Sequence, residues 1–429
     1  MEASLIGFAV LLILIFLRLP IAFAMALVGF IGFGECVNYH ASLSMVSTVA
    51  SETGMDYGLS VVPLFILMGN FVTEAGLSNE LYNSSYAFLG HRRGGLAMAT
   101  IVACGGFSAV CGSSLATAAT MSKVAMPSMR KFGYADSLAT GSIAAGGTLG
   151  ILIPPSVILI IYGIMTETDI GKLFAAGVLP GMLGICCYLG AIYFATKRNP
   201  EIGPPGERVS WDKRIDSLKG IWGVLLLFFI VMGGIYAGIF TPTEAAGIGA
   251  TGAFFFIWGR GKLTLPLLKT VLISTATTTA MIFTILIGAL IFANFVNVVG
   301  MPFALADFVL SWNVAPLLVV VILMAIYVVL GCVLESLSMI MLTVPVFYPM
   351  IEALGFDLIW FGIVVVCITE ISLITPPIGL NVFVLKAVLP DVKLGTIFKG
   401  VTPFWMADIV RLTLIVLFPP ISLLLANMM

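Results

Sequence analysis

Two apolar stretches of this 429-residue chain are each broken by glycine and proline, and each is too long for one bilayer crossing. The first runs from Gly94 to Pro155. It contains Gly112-Ser113-Ser114-Leu115-Ala116-Thr117 and, further on, Gly146-Gly147-Thr148-Leu149-Gly150-Ile151-Leu152-Ile153-Pro154-Pro155. The second contains Glu335-Ser336-Leu337-Ser338 and then Thr375-Pro376-Pro377-Ile378-Gly379-Leu380-Asn381. Inside a bilayer every backbone N–H and C=O needs a partner, so broken backbone survives only where it is buried in protein or lines a watery cavity. Paired interruptions at corresponding places in two halves therefore point to a binding site.

The rest of the chain fits a membrane protein. Apolar residues make up 60%, charged residues 10%, and mean hydropathy is +1.14, which excludes a soluble globule. Apolar runs of bilayer length recur throughout. The net charge of −1 says nothing about partners, and no nucleic-acid partner is expected. The seven cysteines form no CxxC pair and cluster with no histidine, so a zinc or redox site is not expected; Cys104, Cys111, Cys186, Cys187, Cys332 and Cys367 lie in apolar segments and read as small hydrophobes. The N-terminus lacks a basic flank and a small-residue cleavage site, and reads as the start of the first span.

Taken in order, spans are expected over 4–17, 20–36 and 61–74, with a polar segment at 37–60 and an interfacial helix near 78–86. Arg92-Arg93 precede the next stretch and Arg130-Lys131 follow it, so both its ends lie on one side if basic loops face the cytoplasm. That makes 94–130 a re-entrant hairpin with its tip at Gly112–Ala116. A span over 137–165 follows, broken at Gly146–Pro155, then a return span over 173–196 and a basic connector over 197–219.

Residues 220–429 repeat the plan of residues 1–196. Pro20 answers to Pro242, Asn70 to Asn294, Ser114 to Ser336, Gly133 to Gly355, Pro154 to Pro376 and Gly177 to Gly400, at offsets of 222–224 residues. A near-constant offset across many weak matches is a repeat. Loop charges swap between the halves. Arg92-Arg93 answer to a loop at 299–313 that carries Asp307, and Arg130-Lys131 answer to Glu352 and Asp357. Swapped charge means opposite orientation. The expectation is an all-α integral membrane protein of two inverted repeats, with about ten transmembrane helices, both termini on the outer side and two hairpins (94–130 and 314–349) entering from opposite faces. The second broken span is expected over 360–386. The hairpins and broken spans are expected to move together against the remaining spans.

Free backbone groups at such breaks can bind an anion at helix N-termini, while loop carbonyls and hydroxyls can coordinate Na⁺. The first set of candidates is Ser113, Ser114, Thr117, Gly146, Gly147, Thr148, Pro154 and Pro155. The second is Glu335, Ser336, Thr375, Pro376, Gly379 and Asn381. Apart from the Glu335 carboxylate, their oxygens are neutral and suit a hard monovalent cation. Small residues also serve close helix packing, but two such patches, each joined to a Pro-Pro break, favour a site. Glu335 and Glu370 lie at apolar depth, where charge is expensive and usually functional. Asp408 and Arg411, three residues apart on the last long helix, suggest a structural ion pair.

Several of these runs together resemble one family. They are Gly112-Ser113-Ser114-x-Ala116-Thr117, Gly133-Tyr134, Leu149-Gly150-x-Leu152-Ile153-Pro154-Pro155-Ser156, Thr241-Pro242-Thr243-Glu244-Ala245-Ala246, and Glu370 with Thr375-Pro376-Pro377-x-Gly379-x-Asn381. Over essentially the whole chain the sequence is similar to the large membrane subunit of tripartite ATP-independent periplasmic (TRAP) transporters. One departure is Ile371-Ser372, where that pattern has Met-Gly. The resemblance implies a bacterial inner-membrane, Na⁺-driven importer of a carboxylate such as a C4-dicarboxylate or sugar acid, working as an elevator. It also implies two partners, a small four-helix membrane subunit and a periplasmic substrate-binding protein. A stand-alone Na⁺/dicarboxylate symporter of the divalent-anion type is the alternative, but the tips here lack that group's Ser-Asn-Thr. An intramembrane enzyme is disfavoured because HExxH, GxSxG and a catalytic Asp pair are all missing from the sequence.

Overall fold

The computed structural model describes residues 2–311 and 314–429, less the side chain of Val224. Met1 and the Trp312-Asn313 end of the expected loop 299–313 lie outside the described residues. Among the described residues the fold is helical, with twenty α-helices and three short 3-10 turns. The first half holds α1 (Glu2–Phe16), α2 (Ile21–Cys36), α3 (Tyr39–Met55), α4 (Val61–Glu74), α5 (Leu77–Leu89), α6 (Gly95–Cys111), α7 (Ser114–Lys131), α8 (Asp136–Thr148), α9 (Val157–Thr166) and α10 (Ile170–Arg198). The second half holds α11 (Trp211–Tyr236), α12 (Pro242–Gly259), α13 (Leu265–Val298), α14 (Met301–Ser311), α15 (Pro316–Gly331), α16 (Ser336–Ala353), α17 (Leu358–Ser372), α18 (Leu380–Val388), α19 (Leu394–Leu417) and α20 (Pro420–Ala426).

By length and apolar composition, α10, α13, α16 and α19 are each sufficient to cross a membrane. The number rises to six if two bent pairs count as one span each, one of them α3–α4 with a bend of 57°. Two expectations change. The polar segment 37–60 is mostly helix, started by Asn38, whose side chain accepts from Ala41 N–H at 2.7 Å. The connector shrinks to 199–210, because Trp211–Lys219 form the first turns of α11. That connector is pinned by backbone: Gly203 O accepts from Gly94 N–H, Gly206 N–H donates to Gly90 O, and Ile202 O accepts from Ala135 N–H.

The helix boundaries follow local chemistry. Ser113, Ser156, Asp169, Thr264 and Asp357 each accept a backbone N–H at a helix start. Thr241 and Glu244 form a reciprocal capping box at the start of α12. The hairpin turn after α6 needs the left-handed backbone of Gly112, at φ 62°, which a β-carbon would strain.

The helices assemble into two bundles. In one, α13 packs along α2 and α4, α12 packs on α4 and α11, and α1 and α3 pack on α2. In the other, α8 lies against α6, α7 and α19; α10 packs on α19, α20 and α17; α9 meets α16, and α18 meets α7. The α8–α19 crossing is backbone to backbone, since a β-carbon on Gly141 would run into the backbone of Gly400. Dispersion at such close crossings replaces the hydrophobic drive that lipid removes. α10 and α19 thus pack with the hairpins and broken helices. α5 and α14 sit between the bundles, touching α6 and α11, and α16 and α13, respectively.

Candidate functional site

The breaks are built as the residue types require. α8 ends at Thr148, a 3-10 turn covers Leu149–Ile151, and the Pro154-Pro155 bond is cis before Ser156 caps α9. In the second half α17 ends at Ser372, the Pro376-Pro377 bond is cis, and Gly379 at φ 59° starts α18. The first break packs on the first tip: a β-carbon on Gly150 would lie 3.0 Å from Ser113 O, and one on Gly147 would lie 3.1 Å from Ser114 O. In the second half Ser372, the departure from the family pattern, fills the space beside Gly331 at the end of α15 and donates to Thr369 O at 2.7 Å.

Both hairpin tips open onto one cavity of about 270 Å³. Gly112, Ser113 and Ser114 line it from the first half, and Glu335 and Ser336 from the second. Asn70 of α4 and Ser274 and Thr278 of α13 complete the wall from the opposite bundle. Asn70 Nδ2 donates to Thr275 Oγ1 at 2.9 Å, which joins α4 to α13. A mostly apolar cleft with a few converging hydroxyls, an amide and one carboxylate at helix N-termini can hold a small polar or anionic solute.

The other candidates lie elsewhere. Thr117 is buried and its hydroxyl has no hydrogen-bond partner. Asn381 is buried on α18, donating from Nδ2 to Ala144 O at 3.2 Å while its Oδ1 has no partner. These two orphan oxygens sit on the adjoining helices α7 and α18. Gly146 packs against Cys104. Thr148 turns away, donating to Ala145 O at 2.7 Å and meeting Tyr188 Oη at 3.1 Å. Pro154 lines a separate apolar cavity, and Pro155 shares a small pocket with Met68 and Val110. Thr375 accepts from Trp405 Nε1 at 2.9 Å, and the exposed Pro376 borders a pocket with Trp405 and Phe398. Lys123, His40 and Asp357 are exposed.

A fully buried polar chain joins the two breaks. From Thr148 it passes to Tyr188, whose hydroxyl donates to Asp408 Oδ2 at 2.6 Å. Arg411 Nη2 stands 2.9 Å from Asp408 Oδ1, an ion contact not aligned as a hydrogen bond, and donates to Glu370. Glu370, Asp408 and Arg411 are all 0% exposed. The pair on α19 was legible from its spacing. Glu370 and Tyr188 join it only through the packing of α17 and α10. Asn70, Ser274 and Thr278 were missed as site residues, although a polar residue within an apolar run was the available signal.

Comparison with known proteins decides the family. The family model for the tripartite ATP-independent periplasmic transporter, DctM component, matches residues 8–421. The chain belongs to this family. It is 37% identical over 378 residues to the C4-dicarboxylate TRAP transporter large permease protein DctM of Pseudomonas aeruginosa, covering 88% of each chain. It is 34% identical to the sialic acid TRAP transporter large permease protein SiaM of Vibrio cholerae, over 87% of this chain and 88% of that one. It is 33% identical to the ectoine TRAP transporter large permease protein TeaC of Halomonas elongata, covering 86% of each. Such relatives are transporter permeases, and this DctM-family chain is a multi-pass membrane protein. The fold also resembles the solved Alcanivorax borkumensis YdaH transporter, with a TM-score of 0.62 at 16% identity, covering 91% of this chain and 89% of that one.

Proposed function

We propose that this chain is the transport subunit of a Na⁺-coupled importer of an organic acid, working as an elevator in the inner membrane with both termini periplasmic. The observation that carries the reading is the meeting of the Gly112–Ser114 and Glu335–Ser336 tips in one cavity. The substrate is held there, with its carboxylate at the N-termini of α7 and α16 and its remainder against α4 and α13. Named relatives carry C4-dicarboxylates, sialic acid and ectoine, so the acid is a small polar solute of this range.

Na⁺ fits the residues present. Thr117 Oγ1 and Asn381 Oδ1 are buried neutral oxygens that lack partners, which a hard cation would satisfy. Ser113, Ser114 and the Gly146–Thr148 carbonyls form the first candidate set, and Ser336 with the Thr375–Asn381 break the second. Bound Na⁺ would offset substrate charge and draw on the membrane potential, roughly 2.3 kcal/mol per net charge per 100 mV. The moving body comprises α6–α10 and α15–α20, sliding along α1–α4 and α11–α13. Its halves are inverted repeats within about ten spans. A small membrane subunit and a periplasmic binding protein complete the system. One relative, the isethionate TRAP transporter permease protein DctMQ, is longer than this chain, which covers 57% of it. There the two membrane parts are joined.

The test is reconstitution into proteoliposomes with both partner proteins and candidate acids. Uptake should require inward Na⁺ and accelerate when the interior is made negative. Uptake equal in K⁺ and Na⁺ would refute ion coupling.

A further inference from the structure

A cavity larger than the one at the tips lies elsewhere. About 660 Å³ lies between α5, α6, α10 and α11, walled by residues such as Leu81, Phe88, Val102, Ala109, Ile185 and Ile221. Among the described residues, Ser84 and Ser85 are the only hydroxyl side chains on this wall. Ser84 is already committed, donating to Ser217 O at 2.6 Å. A space so poor in orienting groups does not suit a polar solute. Its walls are fixed on the α5–α11 side, where Arg260 grips Glu80 at 2.7 and 2.8 Å and also donates to Gly220 O.

A basic residue stands beside one end of the cavity, at Phe88. Phe88 forms part of the wall, and the guanidinium of Arg214 lies 5.9 Å from its ring and 4.8 Å from that of Trp211. His91, in the turn after α5, is held below the usual imidazole range by partial burial and by Arg214, Arg92 and Arg208 around it. Arg214 Nε and His91 Nδ1 are both buried without a hydrogen-bond partner. The nearby Asp216 is taken by Lys219 at 2.9 Å. Partnerless nitrogens on Arg214 and His91 beside an apolar slot call for a ligand with an anionic head and a hydrocarbon body.

We propose that this cavity binds an anionic glycerophospholipid, with an acyl chain between α6 and α11 and the phosphate at Arg214, Arg92 and His91. A helix of a partner protein, about 10–12 Å across, would have to part α5 from α11 and break the Ser84 and Arg260 bridges. A single acyl chain would not. The lipid fills a gap between α6 of one bundle and α11 of the other, so it would cushion any sliding between them.

The test is native mass spectrometry of the full chain in mixed micelles with equal amounts of phosphatidylglycerol and phosphatidylethanolamine. The wild type should retain one phosphatidylglycerol preferentially. Each basic group near an anionic surface is worth roughly fivefold, so Arg92→Gln with Arg214→Gln should weaken that preference about 25-fold. Ala109→Trp, and Ile185→Trp as a second cavity-filling variant, should reduce retention of both lipids at unchanged melting temperature. No retained lipid in the wild type, equal retention of the two lipids, or undiminished retention in both tryptophan variants would overturn the proposal. So would displacement of the lipid by the small membrane subunit, which would assign the cavity to protein.

Discussion

Tyr188 donates a 2.6 Å hydrogen bond to Asp408, two residues 220 positions apart that are both sealed from solvent. Through Arg411 the bond continues to Glu370, and through Thr148 to the end of α8. Four helices are thereby clamped at the level where two of them break. Tyr188→Phe leaves Asp408 Oδ2 without its donor and should cost about 1–3 kcal/mol of stability. Arg411→Leu strands two carboxylates in a dry interior and should cost about 3–5 kcal/mol. Thermal unfolding in detergent ranks the two. If Arg411→Leu were as stable as the wild type, the clamp would carry no structural weight.

Ser114 and Ser336 face one cavity from opposite halves. Replacing either by Ala removes one neutral oxygen without adding charge. Losing an interaction of about 1 kcal/mol should raise the Na⁺ concentration for half-maximal uptake about fivefold, with expression unaltered. If both variants kept the wild-type Na⁺ dependence, the tips would be packing elements.

Ile66 of α4 and Ala116 of α7 border the same cavity from the two bundles. Cysteines at these positions, joined by a short crosslinker, should abolish uptake, and cleaving the crosslinker should restore it. Transport that continues in the locked protein would argue against sliding of one body past the other.

Arg130 closes α7, pairing with Asp136 at 3.1 Å and also with Asp391 in the turn before α19. Its hydrogen bond holds the Asp391 carboxyl below the usual carboxylate range. A depressed carboxylate contributes stability above its unfolded value, near pH 4, and loses it as pH falls through the lower folded value. The groups are exposed, so the effect is small and salt-screened. Melting temperature between pH 3 and pH 6 should fall less on acidification in Arg130→Gln than in the wild type. Added salt should shrink that difference.

Much of this fold was legible because bilayer physics is strict. Gly112, Gly379 and the two Pro-Pro pairs mark breaks whatever surrounds them. The partners of buried groups were not legible. Nothing local says that Thr148 turns to Tyr188, that Pro154 faces an apolar cavity, or that Asn381 bonds to Ala144 across the repeat. Those outcomes depend on which helices pack together, as does the assignment of α10 and α19 to the hairpin bundle. The helix over 37–60 was hidden by its polar composition, because span reading rewards apolarity and passes over amphipathic helices.

The orientation of the two halves is open to direct measurement. α7 ends in Arg130 and Lys131, while α16, its counterpart by the Ser114–Ser336 correspondence, ends at Glu352 and Ala353. Basic ends stay with the cytoplasm and acidic ends need not, so the two helix ends should face opposite sides. Lys131 and Ala353 are both exposed, which makes them suitable for single-cysteine labelling. With Cys36, Cys186 and the other native cysteines replaced, a membrane-impermeant maleimide added to intact cells should label Ala353→Cys and spare Lys131→Cys. Inside-out vesicles should reverse the pattern. The swap of side between two preparations separates true orientation from mere difference in reactivity. Labelling of both cysteines from one side would end the inverted-repeat reading, and with it the idea that the two tips enter from opposite faces.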